Sequence, residues 1–216
     1  IGKMSKLVSI SGAAGTGKST LLENLRYRVD GFRVARAILK KMNMDLYDIL
    51  KDPIKTMEFQ DLILEWKIAN DESLHEDNQV EWTFVERCPA DFYAFAKTWQ
   101  PRFNSEEYDE WLKEYYDECF AAMKHYDVAI LLQPGHFAHV DDGVRAKADT
   151  QEDTNFELNQ FLSKRWMHAN FDKPRFHLHR LQSCDIIDRV NEIDKALKDA
   201  NEYFKPLFEK MPDLRA

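Results

Sequence analysis

The sequence predicts an α/β fold in which a parallel sheet lies between layers of helices. Short apolar runs typical of buried strands alternate with longer segments of helical period along the 216-residue chain. Strands that are separated by helical segments favour a parallel sheet with right-handed crossovers. The first strand is followed directly by a glycine-rich loop and a helix. These observations predict a three-layer arrangement, with the parallel sheet flanked by helices.

The glycine-rich loop fits the pattern G-x-x-x-x-G-K-[ST] of the P-loop, which binds nucleotide phosphates. Its glycines allow a tight turn that directs backbone N–H groups at phosphate oxygens. Lys18 is expected to reach the β- and γ-phosphates, and Ser19 to ligate Mg²⁺. The motif therefore predicts a P-loop NTPase fold, with ATP and Mg²⁺ as the expected cofactors. The expected nucleotide-binding residues are Gly12, Ala13, Ala14, Gly15, Thr16, Gly17, Lys18, Ser19 and Thr20.

Apolar period and helix-terminating residues predict the elements of the N-terminal half. Residues 20–29 have apolar side chains at helical spacing, and Asp30-Gly31 then indicates a helix end. Asp52 and Pro53 suit the N-cap and the first position of a long helix. The predicted elements are a strand over residues 7–11, a helix over 20–29, an extended segment over 32–35, helices over 36–50 and 53–75, and a strand over 80–86.

The C-terminal half is predicted by the same signals. Pro89 opens a helix that Pro101 ends, and Asn104 with Glu107 resembles a capping box at the start of the next. Ser183 is expected to cap the last helix. The predicted elements are helices over residues 89–100, 104–125, 150–168 and 185–209, strands over 127–132 and 174–181, and a loop over 135–149.

Composition favours one folded domain over residues 4–216, in the cytoplasm. The net charge of −8 argues against a general nucleic-acid binder. No apolar run is long enough to cross a membrane, and no signal peptide is visible. We interpret residues 1–3 as a cloning remnant before Met4. The three cysteines lie far apart without metal-binding spacing, so buried thiols in a reducing compartment are expected.

Charge is unevenly distributed along the chain. Residues 26–41 contain six basic residues and one acidic residue, a local net charge of +5 that suits either a phosphate-binding surface or a solvated helix end. Residues 106–118 show the opposite bias, which predicts one solvent-exposed helix face.

The strand over residues 80–86 ends in Glu86, and Arg87 follows it. Ligands in α/β folds bind at the carboxyl ends of parallel strands. Glu86 is expected to accept a proton from a substrate hydroxyl or to hold Mg²⁺ through water, and Arg87 to bind the acceptor oxygen or the transferred phosphoryl group. The sequence has neither the N-K-x-D base reader of GTPase switches nor the Asp-Glu strand end of motor ATPases. This combination favours a small kinase.

Three segments resemble known kinase families. Residues 86–96 resemble the E-R-S segment of deoxyribonucleoside kinases and the D-R segment of thymidylate kinases, except that Cys88-Pro89 replaces the usual serine. Residues 141–145, Asp-Asp-Gly-Val-Arg, are similar to the D-G-V-R element of NadR-type ribosylnicotinamide kinases, which many phage-encoded P-loop kinases share. Residues 34–39 are similar to the arginine-bearing segment of that group.

The resemblance implies a site and a mechanism. It places the acceptor between Glu86, Arg87 and the helices of residues 36–75, under a helical lid over residues 135–168. Arg145 would neutralise charge on the phosphoryl group in transfer, with help from Lys147. The expected catalytic residues are Lys18, Glu86, Arg87 and Arg145, the acceptor-binding residues Arg36, Arg87 and Asp91, and the metal ligands Ser19 and Glu86.

The sequence leaves the acceptor open. A free nucleoside needs an aromatic pocket, a nucleoside monophosphate needs arginines, and a hydroxymethylated pyrimidine in DNA is the third candidate. A nucleotide-dependent regulator without a kinase reaction is the alternative from another class. ATP is not distinguished from GTP, and a loop over residues 181–183 is expected by position to read the base. The candidate aromatic residues are Phe59, Trp66, Phe92, Tyr93 and Trp99, and the candidate arginines Arg33, Arg36 and Arg87.

Overall fold

A five-stranded parallel sheet forms the centre of the computed structural model, which describes residues 5–76, 80–135, 148–171 and 175–204. The strand order is β2-β3-β1-β4-β5, so the strand that precedes the P-loop lies in the middle, between β3 and β4. The strands are β1 (Lys6–Ser11), β2 (Arg28–Asp30), β3 (Trp82–Glu86), β4 (Tyr126–Leu132) and β5 (His177–Leu181).

Helices cover both faces of the sheet and produce two separate cores. Side chains alternate along a strand, so Leu7 of β1 enters one core and Val8 enters the other. The predicted three-layer α/β fold is confirmed. The helices are α1 (Lys18–Asn24), α2 (Val34–Met42), α3 (Leu46–Ile49), α4 (Pro53–Glu76), α5 (Pro89–Trp99), α6 (Glu106–Ala122), α7 (Ala148–Phe171) and α8 (Ile186–Phe204).

The two helical layers differ in size. The smaller core lies between the sheet and helices α1 and α8, and Leu21 and Ile193 are fully buried in it. The larger core lies on the opposite face and includes side chains of α2, α4, α5, α6 and α7. In the described part of the chain, every helix is too short or too polar to span a lipid bilayer.

The prediction of one helix over residues 20–29 is wrong. Helix α1 ends at Asn24, because Leu25 adopts an extended backbone with φ −76° and ψ 144°. The chain then enters β2, in which Arg28 and Asp30 pair with β3. Tyr27 packs on Phe84 with a ring-centroid distance of 5.1 Å, which holds this edge strand to the sheet.

Three further local predictions are wrong. The helix predicted over residues 36–50 is interrupted, because Asn43 has a left-handed backbone with φ 50°. Ser105 rather than Asn104 caps α6, with its hydroxyl accepting the N–H of Tyr108. The side chain of Asp185, not Ser183, accepts the N–H of Ile187 at the start of α8.

The acidic segment forms an exposed face on α6, as predicted. Its exposed acids include Glu106, Glu110 and Glu114, while Tyr108 and Leu112 on the other side are buried. Asp109 is half-buried and accepts a hydrogen bond from Gln100 at 2.6 Å.

Candidate active site

The P-loop connects the central strand β1 to α1 at the carboxyl edge of the sheet. Gly12, Gly15 and Gly17 have positive φ angles of 149°, 75° and 88°. A Cβ at Gly12 would lie 3.0 Å from Oγ1 of Thr16 and 3.1 Å from the carbonyl oxygen of Leu132. Glycine is therefore required at this position by both backbone angle and space.

Lys18 is the first residue of α1, and only 4% of it is exposed. Its ammonium donates to the carbonyl of Ala13 at 2.5 Å and to the hydroxyl of Thr16 at 3.4 Å. These bonds keep the positive charge inside the loop, beside Ser19 and Thr20. Phosphate oxygens that enter the loop would meet this ammonium group.

Asp91 holds the P-loop against α5. One carboxylate oxygen accepts the N–H of Gly12 at 3.0 Å, and the other accepts the N–H of Cys88 at 2.9 Å. The side chain is fully buried and does not line the cavity described below. The structure therefore does not support the prediction that Asp91 contacts an acceptor; its carboxylate is used by backbone groups.

Glu86 and Arg87 lie at the carboxyl end of β3, beside the P-loop strand. Arg87 has a left-handed backbone with φ 67°, and its N–H donates to the carbonyl of Ile10 at 3.0 Å. Its guanidinium lies 3.4 Å from the carbonyl oxygen of Gly12 and 4.6 Å from the centroid of the Phe95 ring. Glu86 forms an ion pair with Nε of Arg33 at 3.4 Å.

A cavity of about 730 Å³ extends from the P-loop between α2, α3, α4 and α5. It brings together Lys18, Ser19, Glu86, Arg87 and Arg36 of the predicted site. Loop residues Gly12, Ala13 and Thr16 do not line it, and Arg145 and Lys147 lie outside the described residues. Its walls include the aromatic residues Tyr47, Phe59, Phe92, Phe95 and Trp99.

Two of the predicted aromatic residues do not line the cavity. Trp66 lies under the ammonium group of Lys41, 4.9 Å from the ring centroid. Tyr93 packs against Tyr116 and Phe161 in the larger core. Helical spacing of this kind favours core packing for most aromatic residues, and packing accounts for both.

The family model described as an AAA domain matches residues 7–178. The chain belongs to this family. No curated protein matches the sequence.

Solved structures with the same fold include three proteins at low sequence identity. NadR in complex with NR is 17% identical with a TM-score of 0.63; the match covers 91% of this chain but only 51% of NadR. Deoxyadenosine kinase from M. mycoides is 16% identical with a TM-score of 0.61, covering 89% of this chain and 99% of that one. Thymidylate kinase from Candida albicans is 11% identical with a TM-score of 0.55, covering 92% and 93%.

The AAA domain has oxygen groups that suit Mg²⁺ at the edge of the P-loop. The hydroxyl of Ser19 and the carboxylate of Glu86 both line the cavity, and Mg²⁺ prefers oxygen ligands supplied by one or two carboxylates, phosphates and water. The described residues contain no group of three or more His, Cys, Asp or Glu side chains that could hold a metal. A bound Mg²⁺ would therefore need nucleotide oxygens as well.

Several site residues carry no sequence signal. Gln60 of α4 lines the cavity, and the hydroxyl of Tyr115 donates to its side-chain oxygen at 3.1 Å. That bond leaves the NH₂ group of Gln60 for a ligand. Gln60 stands among apolar residues at helical spacing, which sequence reasoning cannot distinguish from core packing. Arg102 also lines the cavity, from the short 3₁₀ turn after α5.

Two residues from distant segments hold the P-loop from outside the cavity. The side-chain amide of Gln151, near the start of α7, donates to the carbonyl of Ala14. Arg189 of α8 is almost fully buried and donates to the carbonyl oxygens of Thr16 at 3.1 Å and Ser183 at 2.9 Å. Arg189 thereby connects the P-loop to the loop after β5, which sequence position associates with the nucleotide base.

Cys88 occupies the position of the serine in the resembling families. Its thiol is buried within 3.4 Å of both the Ser11 hydroxyl and the Asp91 carboxylate. Burial and the nearby charge of Asp91 raise the pKa of this thiol to about 12. Cys88 is therefore a neutral N-cap residue of α5 rather than a nucleophile.

Proposed function

We propose that the protein is a kinase that transfers the γ-phosphate of ATP to a hydroxyl or phosphate group of a nucleoside or nucleotide. One observation carries this proposal. The cavity continues from Lys18 and Ser19 past Glu86 and Arg87 into a part with aromatic walls, which we call the aromatic chamber. Its aromatic residues are Tyr47, Phe59, Phe92, Phe95 and Trp99. A nucleotide switch needs a site for the donor only. A kinase also needs an enclosed site for a second substrate beside the donor phosphates.

The residues around the P-loop suit an in-line phosphoryl transfer. The acceptor oxygen attacks the γ-phosphorus, the bond from that phosphorus to the β–γ bridging oxygen breaks, and ADP leaves. Lys18 stabilises charge on the β- and γ-phosphates, and Arg87 orients the acceptor or the phosphoryl group. If the acceptor is a hydroxyl, its proton passes to the carboxylate of Glu86. When bound at Ser19 and Glu86, Mg²⁺ supplies further charge neutralisation.

The structural neighbours support this proposal. Two of them, deoxyadenosine kinase and thymidylate kinase, are named as kinases. One structure of deoxyadenosine kinase contains dCMP and dCDP, and another contains dATP. NadR was solved with NR. The ligands dCMP, dCDP and dATP share a nucleoside unit, which suits a chamber with aromatic walls. We further propose that a lid over residues 135–168, which carries Arg145, completes the site; residues 136–147 lie outside the described part of the chain.

A transfer screen with ATP labelled in the γ-phosphate tests the proposal. Nucleosides, nucleoside monophosphates and hydroxymethylated DNA serve as acceptors, and we expect a labelled product with at least one of them. Lys18→Ala should abolish transfer, whereas Lys198→Ala, an exposed lysine on α8, should retain it. Arg145→Ala should lower turnover about 100-fold with little change in ATP affinity. Hydrolysis without transfer to any acceptor would instead indicate a nucleotide-dependent regulator.

A further inference from the structure

The charges that line the cavity are strongly unbalanced. Apart from Lys18 in the P-loop, the described lining residues include five cations and one carboxylate, Glu86. Glu86 pairs with Arg33, and Lys51 pairs with Asp48 at 2.8 Å. The cations are Arg33, Arg36, Lys51, Arg87 and Arg102.

Arg36 and Arg102 are the lining cations that have no partner among the described residues. Both are exposed, and neither forms a hydrogen bond or an ion pair with any residue that the structure describes. Arg36 belongs to the first turn of α2, and Arg102 to the 3₁₀ turn after α5. Two guanidinium groups therefore approach one cavity from different elements.

The donor does not account for these two charges. The P-loop offers its own backbone and the Lys18 ammonium to the donor phosphates. Arg36 and Arg102 lie in elements that contribute to the wall of the aromatic chamber, with Leu39 on the same helix as Arg36 and Trp99 one turn before Arg102. Guanidinium groups bind phosphate oxygens with two parallel hydrogen bonds, and a neutral nucleoside offers no such partner.

We propose that the acceptor is a nucleotide, carrying a phosphate of its own that Arg36 and Arg102 bind, rather than a neutral nucleoside. The inference rests on the proposed kinase function and specifies its acceptor. The phosphate belongs either to a free mononucleotide or to a nucleotide unit within a polynucleotide. Both present the same anionic group, and the experiment below distinguishes them.

The test compares matched acceptors: a nucleoside, its 5′-monophosphate and a short single-stranded oligonucleotide of the same base. For the wild type, we expect kcat/KM for one of the phosphate-bearing acceptors to exceed that for the nucleoside at least about tenfold. Arg36→Gln and Arg102→Gln should each raise the acceptor KM about tenfold, with little change in the KM for ATP. Arg26→Gln is the control, because Arg26 is exposed in the same basic segment but does not line the cavity.

The outcomes are distinguishable. Phosphorylation of the monophosphate identifies a free mononucleotide, and phosphorylation of the oligonucleotide alone identifies a polynucleotide; both support the inference. If the nucleoside is phosphorylated as efficiently as its monophosphate and neither glutamine variant changes the acceptor KM, the inference is overturned while the kinase proposal stands. If ATP binds but no acceptor is phosphorylated, the kinase proposal fails and the inference fails with it.

Discussion

Arg87 combines a strained backbone with a position at the proposed site. Its φ of 67° is in the left-handed region, which costs a non-glycine residue about 1–2 kcal/mol. The hydrogen bond from its N–H to Ile10 and the contact of its guanidinium with Phe95 hold this conformation. The geometry places the guanidinium in the cavity, beside the carbonyl of Gly12. Backbone strain at functional positions is a known feature of binding and catalytic sites.

We expect Arg87→Gly to be more stable than Arg87→Ala by about 1 kcal/mol, because glycine adopts the left-handed region without a Cβ clash. Urea denaturation, monitored by circular dichroism, measures the difference in the free energy of unfolding. The matched control is Arg102, in a right-handed 3₁₀ turn, where the glycine variant should be the less stable of the two. If Arg87→Ala were as stable as Arg87→Gly or more stable, the backbone at this position would not be strained in solution.

The cysteines should differ sharply in reactivity. Cys88 and Cys119 are fully buried, and burial raises the pKa of Cys88 to about 12 and that of Cys119 well above its usual range. Cys184 is exposed. We expect one fast-reacting thiol per chain toward Ellman's reagent at pH 8, and all three in denaturant. Cys184→Ser should remove the fast phase; a fast phase that persists would contradict the burial of the other two.

The sequence locates part of the site because some of its residues are contiguous. The P-loop and the Glu86-Arg87 pair occupy short segments whose letters imply chemistry, and the structure places both at one cavity. Gln60 and Arg102 reach that cavity from separate helical segments, so only the fold brings them together. Asp91 lies within the resembling segment, yet its carboxylate binds backbone groups. A motif therefore indicates proximity to the site but not the direction of a side chain.

Helix α4 buries polar groups as well as apolar ones along its length. Lys67 and Asp71 are each 1% exposed, with Nζ of Lys67 lying 2.8 Å from Oδ1 of Asp71. The hydroxyl of Tyr126 on β4 donates to the other carboxylate oxygen at 2.5 Å. The pair therefore connects α4 to the start of a central strand. Each charge is compensated only while its partner is present.

We expect Asp71→Asn to lower the free energy of unfolding by about 3–5 kcal/mol, because the ammonium of Lys67 stays buried without a counter-charge. Chemical denaturation measures the loss. The control is Asp48→Asn, which breaks the exposed pair with Lys51 and should cost far less, because water screens that pair. The double variant Lys67→Met/Asp71→Leu should recover most of the loss. If Asp71→Asn alone were as stable as the wild type, the ammonium group of Lys67 would have to reach solvent.

Elements with long, uninterrupted patterns are the ones that the sequence predicts well. Helix α4 and strand β4 agree with prediction to within a residue. Asp52-Pro53 marks the start of the helix, and the run Asp-Val-Ala-Ile-Leu-Leu over residues 127–132 marks the strand. The sequence does not predict the three-residue β2, because its single apolar residue, Val29, also fits the helical spacing of α1. Its pairing with β3 is a long-range contact that has no local signal.

A half-buried carboxyl group lies at the junction of two central strands of the sheet. Oδ2 of Asp127 on β4 accepts the backbone N–H of Leu7 at 3.0 Å, where the register between β1 and β4 shifts. Burial raises the pKa of Asp127 from 3.8 to about 6, although the Leu7 hydrogen bond acts in the opposite direction. The folded chain therefore holds a proton at this group between pH 4 and pH 6 that the unfolded chain releases.

The sign of the pH effect follows from this shift. Where the folded state binds more protons than the unfolded state, stability falls as pH rises, so Asp127 reduces the free energy of unfolding by about 2 kcal/mol between pH 4 and pH 7. Glu192 should act in the opposite direction. Its partial burial opposes the shift, but hydrogen bonds from Ser183, Gln182 and His179 lower its pKa from 4.5 to about 2. The ionised Glu192 carboxylate therefore stabilises the folded state above pH 4.5, and this stabilisation is lost as pH falls toward 2.

Differences between variants and wild type isolate each group from the other titrating residues of the chain. The stability of Asp127→Asn relative to wild type should rise by about 2 kcal/mol from pH 4 to pH 7, since asparagine keeps an acceptor for Leu7 without a charge. The stability of Glu192→Gln relative to wild type should fall as pH rises from 2 to 5, because only the wild type gains the ionised carboxylate. Urea denaturation at half-unit steps of pH gives both difference curves. A flat curve for Asp127→Asn would mean that water reaches the carboxyl group and that the join between β1 and β4 is open to solvent.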